Sequence, residues 1–176
     1  MRAYIRAAAL IVGYALSLGA AVAQDGGAAQ PSETTETFGS WVVRCQKPAG
    51  DAPRACEVIH SVNSQNGVIT QIAIGTPPGA TAPLIVVQTP LGVLVSQAVT
   101  FGDAAAAGST APLALPFVTC LQIGCIAQLQ TTDESLDALA AAPSARIGFA
   151  ERTGRAIDIA VPLNGMKDAL ARLRAG

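Results

Sequence analysis

The sequence predicts a mostly β, sandwich-like single domain that also has two short helices. Apolar and polar residues alternate with period two from Phe38 onward, as they do along half-buried strands. Turn signals rich in Pro, Gly and Asn recur about every eight to twelve residues, which is typical of β-sandwiches and barrels. Helical spacing is found only near the C-terminus. Strand spacing alone does not separate a sandwich from a barrel, and we favour the sandwich.

The first 23 residues have the composition of an export signal. Arg2 and Arg6 precede an apolar run, which Ala21-Val22-Ala23 ends as a cleavage site of small residues. The apolar stretch barely reaches the length of a membrane span, so cleavage is favoured over anchoring. We predict a signal peptide at 1–23 and no transmembrane segment after its removal. The predicted location is the periplasm or the medium, with attachment to the outer membrane as a third location.

Residues 24–37 are predicted to form a flexible leader, because they are rich in Gly, Ser, Thr and Glu and have little to bury. The β domain is then expected to occupy 38–176. The chain has 11 basic and 12 acidic residues, and aromatic residues make up 4% of it. Nucleic-acid binding requires clustered Lys and Arg, so this composition argues against it.

Four cysteines predict two disulfides in an oxidising compartment: Cys45, Cys56, Cys120 and Cys125. We favour pairing Cys45 with Cys56 and Cys120 with Cys125, since each pair flanks a turn, although the other two connectivities stay open. Both loops are small, so each bridge is expected to contribute at or below the typical ~2–4 kcal/mol. The spacing from Cys45 to Cys56 is too long for a structural zinc pair. Cys120 and Cys125 form C-x4-C rather than the redox motif C-x-x-C.

Alternating apolar residues predict a series of short strands. Asn66-Gly67 is a strong hairpin signal between two of them, and the small, polar segment 103–110 is predicted to be a surface loop. The predicted strands lie near residues 41–45, 54–62, 68–74, 84–87, 93–101, 113–119, 126–130, 146–152 and 155–163.

Two helices are predicted near the C-terminus. Thr132 caps the first, and its acidic residues (Asp133, Glu134 and Asp137) are expected on the first turn and exposed face, as solubilising rather than catalytic groups. The second helix is expected to use Asn164 as its cap and to bury an apolar face that begins at Met166.

No catalytic arrangement is evident in the sequence. His60 is the only histidine, and on an alternating strand it is expected to be a half-buried ring with a hydrogen-bond partner. There is no G-x-S-x-G motif to supply a nucleophile. Glu57 and Asp158 could in principle form a glycosidase-like acidic pair, which the sequence neither shows nor excludes. We predict that the protein is not an enzyme and has no cofactor and no metal site.

Trp41 is the one candidate binding residue. A tryptophan in an opening strand beside Cys45 more often fills a core than a binding site. Aromatic side chains also anchor protein interfaces, so both interpretations are kept.

Several motifs resemble those of the invasion-associated locus B family. Residues 38–45 resemble its F-G-x-W-x-V-x-C opening, and 116–127 resemble its P-F-x-x-C…G-C-x-A block. Residues 163–170 are similar to its L-x-G-F-x-x-A-L helix, with Met166 where the family has an aromatic residue. The resemblance extends over 38–173. It implies a secreted or periplasmic bacterial β-rich protein, and it carries over no catalytic residues.

The resulting hypothesis is a non-enzymatic, exported envelope or secreted interaction protein that contributes to host-cell interaction. Its partner would be an unidentified protein or envelope component. The alternative is a general periplasmic accessory protein, such as a folding aid or an enzyme inhibitor. A hydrolase that uses His60 is the third and weakest hypothesis.

Overall fold

A computed structural model describes residues 32–49, 52–64, 67–102 and 111–176. The predicted signal peptide at 1–23, most of the predicted leader and the predicted loop at 103–110 lie outside these ranges. The helices and strands, in chain order, are β1 Ser32–Phe38, β2 Trp41–Lys47, β3 Ala55–Ser64, β4 Gly67–Gly75, β5 Leu84–Thr89, β6 Val99–Gly102, β7 Leu113–Leu115, β8 Phe117–Leu121, β9 Gly124–Gln130, α1 Asp133–Ala140, β10 Ala145–Ala150, β11 Ala156–Val161 and α2 Met166–Arg174.

The strands form two antiparallel sheets. The larger sheet has seven strands in the order β1-β2-β3-β4-β5-β9-β8, and the smaller has four in the order β11-β10-β6-β7. β1 and β8 are therefore the two edges of the larger sheet. The prediction of a mostly β domain with two short helices is confirmed.

One hydrophobic core joins the two sheets and the helices. Along β2, Trp41 and Val43 are buried while Val42 between them is partly exposed, as the period-two pattern predicts. Each fully buried aliphatic side chain stabilises the fold by roughly 2 kcal/mol through its removal from water. The core includes residues from the larger sheet, the smaller sheet and α2, among them Ile72, Ile85, Phe101, Ile147 and Leu170.

The predicted flexible leader is wrong at residues 32–37, which form β1. This strand pairs with β2 along its whole length, and Phe38 lies opposite Trp41. Its side chains are exposed apart from Phe38, so the strand offers almost no apolar signal in the sequence. It is held by backbone hydrogen bonds to β2 and by an ion pair of 2.7 Å between Glu36 and Arg172 of α2.

Two predicted strands have different bounds in the structure. The predicted strand 93–101 is reduced to β6, and Val93 makes only an isolated bridge to Glu151. The predicted strand 113–119 divides at Pro116 into β7 and β8, which belong to different sheets. Proline has no N–H for a sheet ladder, and it therefore suits a point where the chain leaves one sheet for the other.

The N-terminal cap of α1 is the predicted residue, whereas the cap of α2 is a different one. The Thr132 hydroxyl accepts the N–H of Ser135 at 3.2 Å and caps α1. The cap of α2 is Gly165 rather than Asn164, whose side chain instead accepts a hydrogen bond from Ser40. Gly165 has φ of 84°, and a Cβ there would lie 2.0 Å from the carbonyl oxygen of Phe38, so only glycine fits.

Candidate functional site

Both disulfides join neighbouring antiparallel strands. Cys45 of β2 lies directly opposite Cys56 of β3, and Cys120 of β8 lies directly opposite Cys125 of β9. This is the local pairing that we favoured from the sequence. Cys45 and Cys125 are buried, whereas Cys120 is exposed at the edge of the sheet. The second bridge therefore clamps a hairpin at the surface.

Trp41 is a core residue. Its side chain is 0% exposed, and its indole N–H donates to the carbonyl oxygen of Pro162 at 2.9 Å. The ring centroid lies 5.1 Å from that of His60. An indole in this position has no free surface for a partner, so the structure does not support the binding role suggested for Trp41.

His60 is buried and has a partner, as expected. Its Nδ1 lies 2.7 Å from the carbonyl oxygen of Ser40, to which an N–H at Nδ1 donates. Trp41 covers the ring. This is a structural contact between β3 and the turn that links β1 to β2.

The structure does not bring Glu57 and Asp158 together. Glu57 lies on β3 of the larger sheet and pairs with Arg44 at 2.6 Å. Asp158 lies on β11 of the smaller sheet and pairs with Arg146 at 2.8 Å. Each carboxylate has its own arginine, and the two lie on different sheets.

Two acidic residues of α1 form ion pairs with one arginine of α2. Asp133 and Asp137 of α1 each lie 2.9 Å from the guanidinium of Arg174 in α2. Partial burial tends to lower the pKa of Arg174, but hydrogen bonds to Asp137 and Asp133 outweigh it and raise the pKa. Within the described ranges, no group of three or more His, Cys, Asp or Glu side chains could hold a metal ion.

Large aliphatic side chains are exposed at one end of the domain. Leu121 and Ile123, in the β8–β9 hairpin, are 53% and 68% exposed. Leu91 follows β5 and is 59% exposed. We call this surface the apolar end and define it by Leu91, Leu121 and Ile123.

Hydrogen bonds fix the two loops of the apolar end beside each other. The side-chain amide of Gln88 donates to the carbonyl oxygen of Ile123 at 2.9 Å, which ties the hairpin tip to β5. Thr89 pairs with Cys125, so the chain enters the Leu91 turn directly beside the disulfide. A Cβ at Gly124 would lie 2.2 Å from the carbonyl oxygen of Thr89, which shows how closely the two backbones approach.

The segment that builds the apolar end is almost free of charge. Between Glu57 and Asp133 the sequence contains no Lys or Arg, and Asp103 is its one carboxylate. The ionised residues are concentrated before and after this segment. The loops that carry the apolar end therefore contain no charged residue of their own, and the charges beside them are those of Glu151 and Arg152.

Arg152 lies next to the apolar end, in the turn between β10 and β11. Its backbone N–H donates to the carbonyl oxygen of Gly92 at 2.8 Å, which fixes this turn to the Leu91 loop. A depression of about 350 Å³ has Leu91, Gly92 and Arg152 in its wall. Over the described part of the chain, the Arg152 side chain is exposed and has no hydrogen-bond or ion-pair partner.

An apolar cleft of about 260 Å³ lies at the other end of the larger sheet. Its wall contains Ala73, Gly75, Pro77 and Val86, together with Glu57. Drug-sized ligands usually occupy roughly 300–1,000 Å³, so this cleft is small for an enclosed ligand site. Glu57 is already neutralised by Arg44 and gives the cleft no free charge.

Comparison with known proteins identifies the family. The family model described as Invasion associated locus B (IalB) protein matches residues 41–174. The chain belongs to the IalB family. The resemblance carried by the opening strand, the second cysteine block and the last helix is thereby confirmed. No curated protein matches this IalB family member.

A solved structure shares the fold of this IalB family member. The crystal structure of invasion associated protein B from Bartonella henselae aligns with a TM-score of 0.65 and 22% sequence identity. The alignment covers 81% of this chain and 95% of the Bartonella chain. In the described part of the IalB chain, neither helix has the length and hydropathy to cross a membrane.

Sequence reasoning missed the apolar end. Leu121 and Ile123 lie between two cysteines, in a short segment interpreted only as a turn. The available signal was a pair of large aliphatic residues where a tight turn normally has polar ones, within a long uncharged segment. Neither observation alone shows that Leu91 lies at the same end, because its position there depends on the β5–β9 pairing.

Proposed function

We propose that this IalB family member is an exported, non-catalytic interaction protein of the bacterial envelope or the medium, and that the apolar end is its contact surface. The observation that carries the proposal is the gathering of exposed aliphatic side chains from separate loops at one end of the domain. Soluble proteins rarely leave such groups together in water unless the surface contacts something else.

Export is supported by the cysteine chemistry. Two disulfides persist in oxidising compartments and are rare in the bacterial cytosol. The signal-like residues 1–23 are consistent with such a compartment. We propose the periplasm as the first destination, with secretion or attachment to the outer membrane as later steps.

A non-catalytic role is supported by the partners of the titratable groups. His60 is held by a backbone carbonyl and covered by Trp41. Glu57 and Asp158 lie on different sheets, each paired with its own arginine. These contacts give the groups structural roles: the His60 ring is buried, and each carboxylate is neutralised by an arginine.

Host contact is the proposed biological setting. The family and the Bartonella henselae protein are both named for invasion, and this chain shares their family and fold. We propose that the apolar end contacts an envelope or host component. The disulfide between Cys120 and Cys125 would hold the hairpin tip in the conformation that makes this contact.

Site-specific photocrosslinking in the native cell tests the contact surface. A photoreactive amino acid replaces Ile123 in one strain and Lys47 in another. Lys47 is an exposed residue at the far end of β2, so it is a matched control. We expect adducts from position 123 and none from position 47. Equal labelling at both positions, or none at either, would contradict the proposed contact surface.

Cell fractionation tests export separately. We expect the processed protein, with both disulfides formed, in the periplasm, the outer-membrane fraction or the medium. Non-reducing mass analysis of the same fractions reports the state of the cysteines. An unprocessed, reduced protein in the cytosol would refute the export component of the proposal.

A further inference from the structure

We infer that the occupant of the apolar end is the surface of a phospholipid bilayer, into which the hairpin tip and the Leu91 loop insert. This inference rests on the proposed function, since it names the partner of the same surface. It is argued from the shape, the charge and the neighbouring arginine of the apolar end.

The shape suits shallow insertion into a bilayer. The most exposed side chains, Leu91 and Ile123, are on loops that project beyond the strand ends rather than on a flat sheet face. A protein partner would more usually meet aliphatic groups within a broad patch that has a polar rim. Two adjacent apolar loops present a small area that a fluid lipid surface can enclose from every side.

The charge distribution also favours lipid. Moving a charged side chain into the hydrocarbon layer of a bilayer is costly, and the segment from 58 to 132 contains no Lys or Arg and one carboxylate, Asp103. The backbone of the hairpin is largely paired, since β8 bonds to β9 and the carbonyl of Ile123 accepts from Gln88. Few polar groups near the tip would lose water without a partner when the tip enters the interface.

Arg152 supplies the complementary charge. It is exposed in the turn that is bonded to Gly92, beside Leu91, and its side chain has no partner within the described residues. An arginine at the edge of an inserting surface lies at the depth of lipid phosphates, with which a guanidinium forms strong hydrogen bonds. The apolar end and Arg152 together match the acyl layer and the phosphate layer of one bilayer leaflet.

Vesicle co-sedimentation tests the inference with the processed chain from residue 24 onward. The probe is a vesicle of phosphatidylethanolamine and phosphatidylglycerol. Ile123→Asp should lower the partition coefficient about tenfold, because one inserted aliphatic side chain is replaced by a carboxylate. Arg152→Gln should lower it about fivefold. Lys47→Gln, at the opposite end, should leave it unchanged. Equal losses in all three variants would overturn the inference.

Tryptophan fluorescence gives a second readout that does not depend on affinity. Gln122→Trp places an indole at the exposed hairpin tip, and Lys47→Trp places one at the control position. We expect the emission of the tip variant to shift to the blue when vesicles are added and that of the control to stay constant. A shift at both positions, or at neither, would contradict insertion by the tip.

The two proposals can fail separately. If no vesicle is bound while a photoreactive group at Ile123 still labels a protein, the lipid assignment is wrong and the contact surface stands. If Ile123 labels nothing and no vesicle is bound, both are wrong. Circular dichroism of Ile123→Asp should match that of the unaltered protein, because the side chain is 68% exposed and contributes little to folding.

Discussion

Replacing Trp41 with phenylalanine tests whether this residue acts in the core or at a contact surface. The indole is 0% exposed and donates to the carbonyl oxygen of Pro162. Phenylalanine keeps an aromatic ring but removes the N–H and part of the buried area. Sequence analysis kept both a core role and a binding role for Trp41, and these two interpretations predict different results.

The expected loss of stability follows from two contributions. The lost hydrogen bond costs about 1 kcal/mol. The smaller ring buries on the order of 50 Å² less apolar area, which costs about 1.2 kcal/mol before any cavity effect. The free energy of unfolding should therefore fall by about 2 to 3 kcal/mol. With a urea m-value of about 2 kcal/mol/M, the midpoint should fall by about 1 to 1.5 M.

Urea unfolding followed by far-UV circular dichroism measures this change. Trp41 is the only tryptophan, so fluorescence would be lost in the variant and is not used. Val118→Ala is the matched control, because Val118 is exposed and its truncation should change stability by less than about 0.5 kcal/mol. The core role would be refuted if Trp41→Phe unfolded like the control and yet abolished vesicle binding or photocrosslinking.

Three further predictions concern the framework. Replacing Cys45 and Cys56 with alanine should lower the free energy of unfolding by roughly 2 to 3 kcal/mol in urea titrations, because the closed loop is short; an unchanged midpoint would show that the bridge adds nothing. A hydrogen bond from Arg172 lowers the pKa of Glu36 below its ordinary value of 4.5. The ion pair therefore stabilises β1 above pH 4.5, and this stabilisation is lost as the pH falls through the lowered pKa. Protection factors of the β1 amides, corrected for the intrinsic pH dependence of hydrogen exchange, should fall over that range in the native chain and not in Glu36→Gln, and identical profiles would argue against the pair. Gly165→Ala should lower the melting temperature by about 10 °C, because alanine would have to adopt a left-handed backbone conformation and its Cβ would clash with Phe38. A change of less than about 2 °C, which is the size expected of a neutral surface substitution, would contradict that reasoning.

The sheet was predictable where one face of a strand is buried. Trp41, Val43 and Cys45 alternate with partly exposed residues, and the structure buries all three. β1 was missed because its side chains are exposed on both faces, so its position depends on pairing with β2 and on the contact between Glu36 and Arg172. Local patterns contain no information about such long-range partners.

The candidate site was less predictable than the fold. The tip residues Leu121 and Ile123 are separated from Leu91 by about 30 residues of chain, and only the β5–β9 pairing brings them together. The sequence drew attention to Trp41, because a lone tryptophan is conspicuous, but an aromatic residue on the inward face of a strand is a core residue. Whether an aliphatic residue in a turn is exposed to solvent depends on the residues around it, and their positions are known only from the three-dimensional structure.

The order of the disulfides along the chain has a consequence for biogenesis. Each cysteine is bonded to its nearest cysteine neighbour in sequence, with separations of 11 and 5 residues. If the polypeptide enters an oxidising compartment N-terminus first, Cys45 can bond to Cys56 before Cys120 has entered. Oxidation of the cysteines in their order of entry therefore already gives the native pairs. We therefore expect this protein to mature with a thiol oxidase alone, at normal yield in cells that lack a disulfide isomerase.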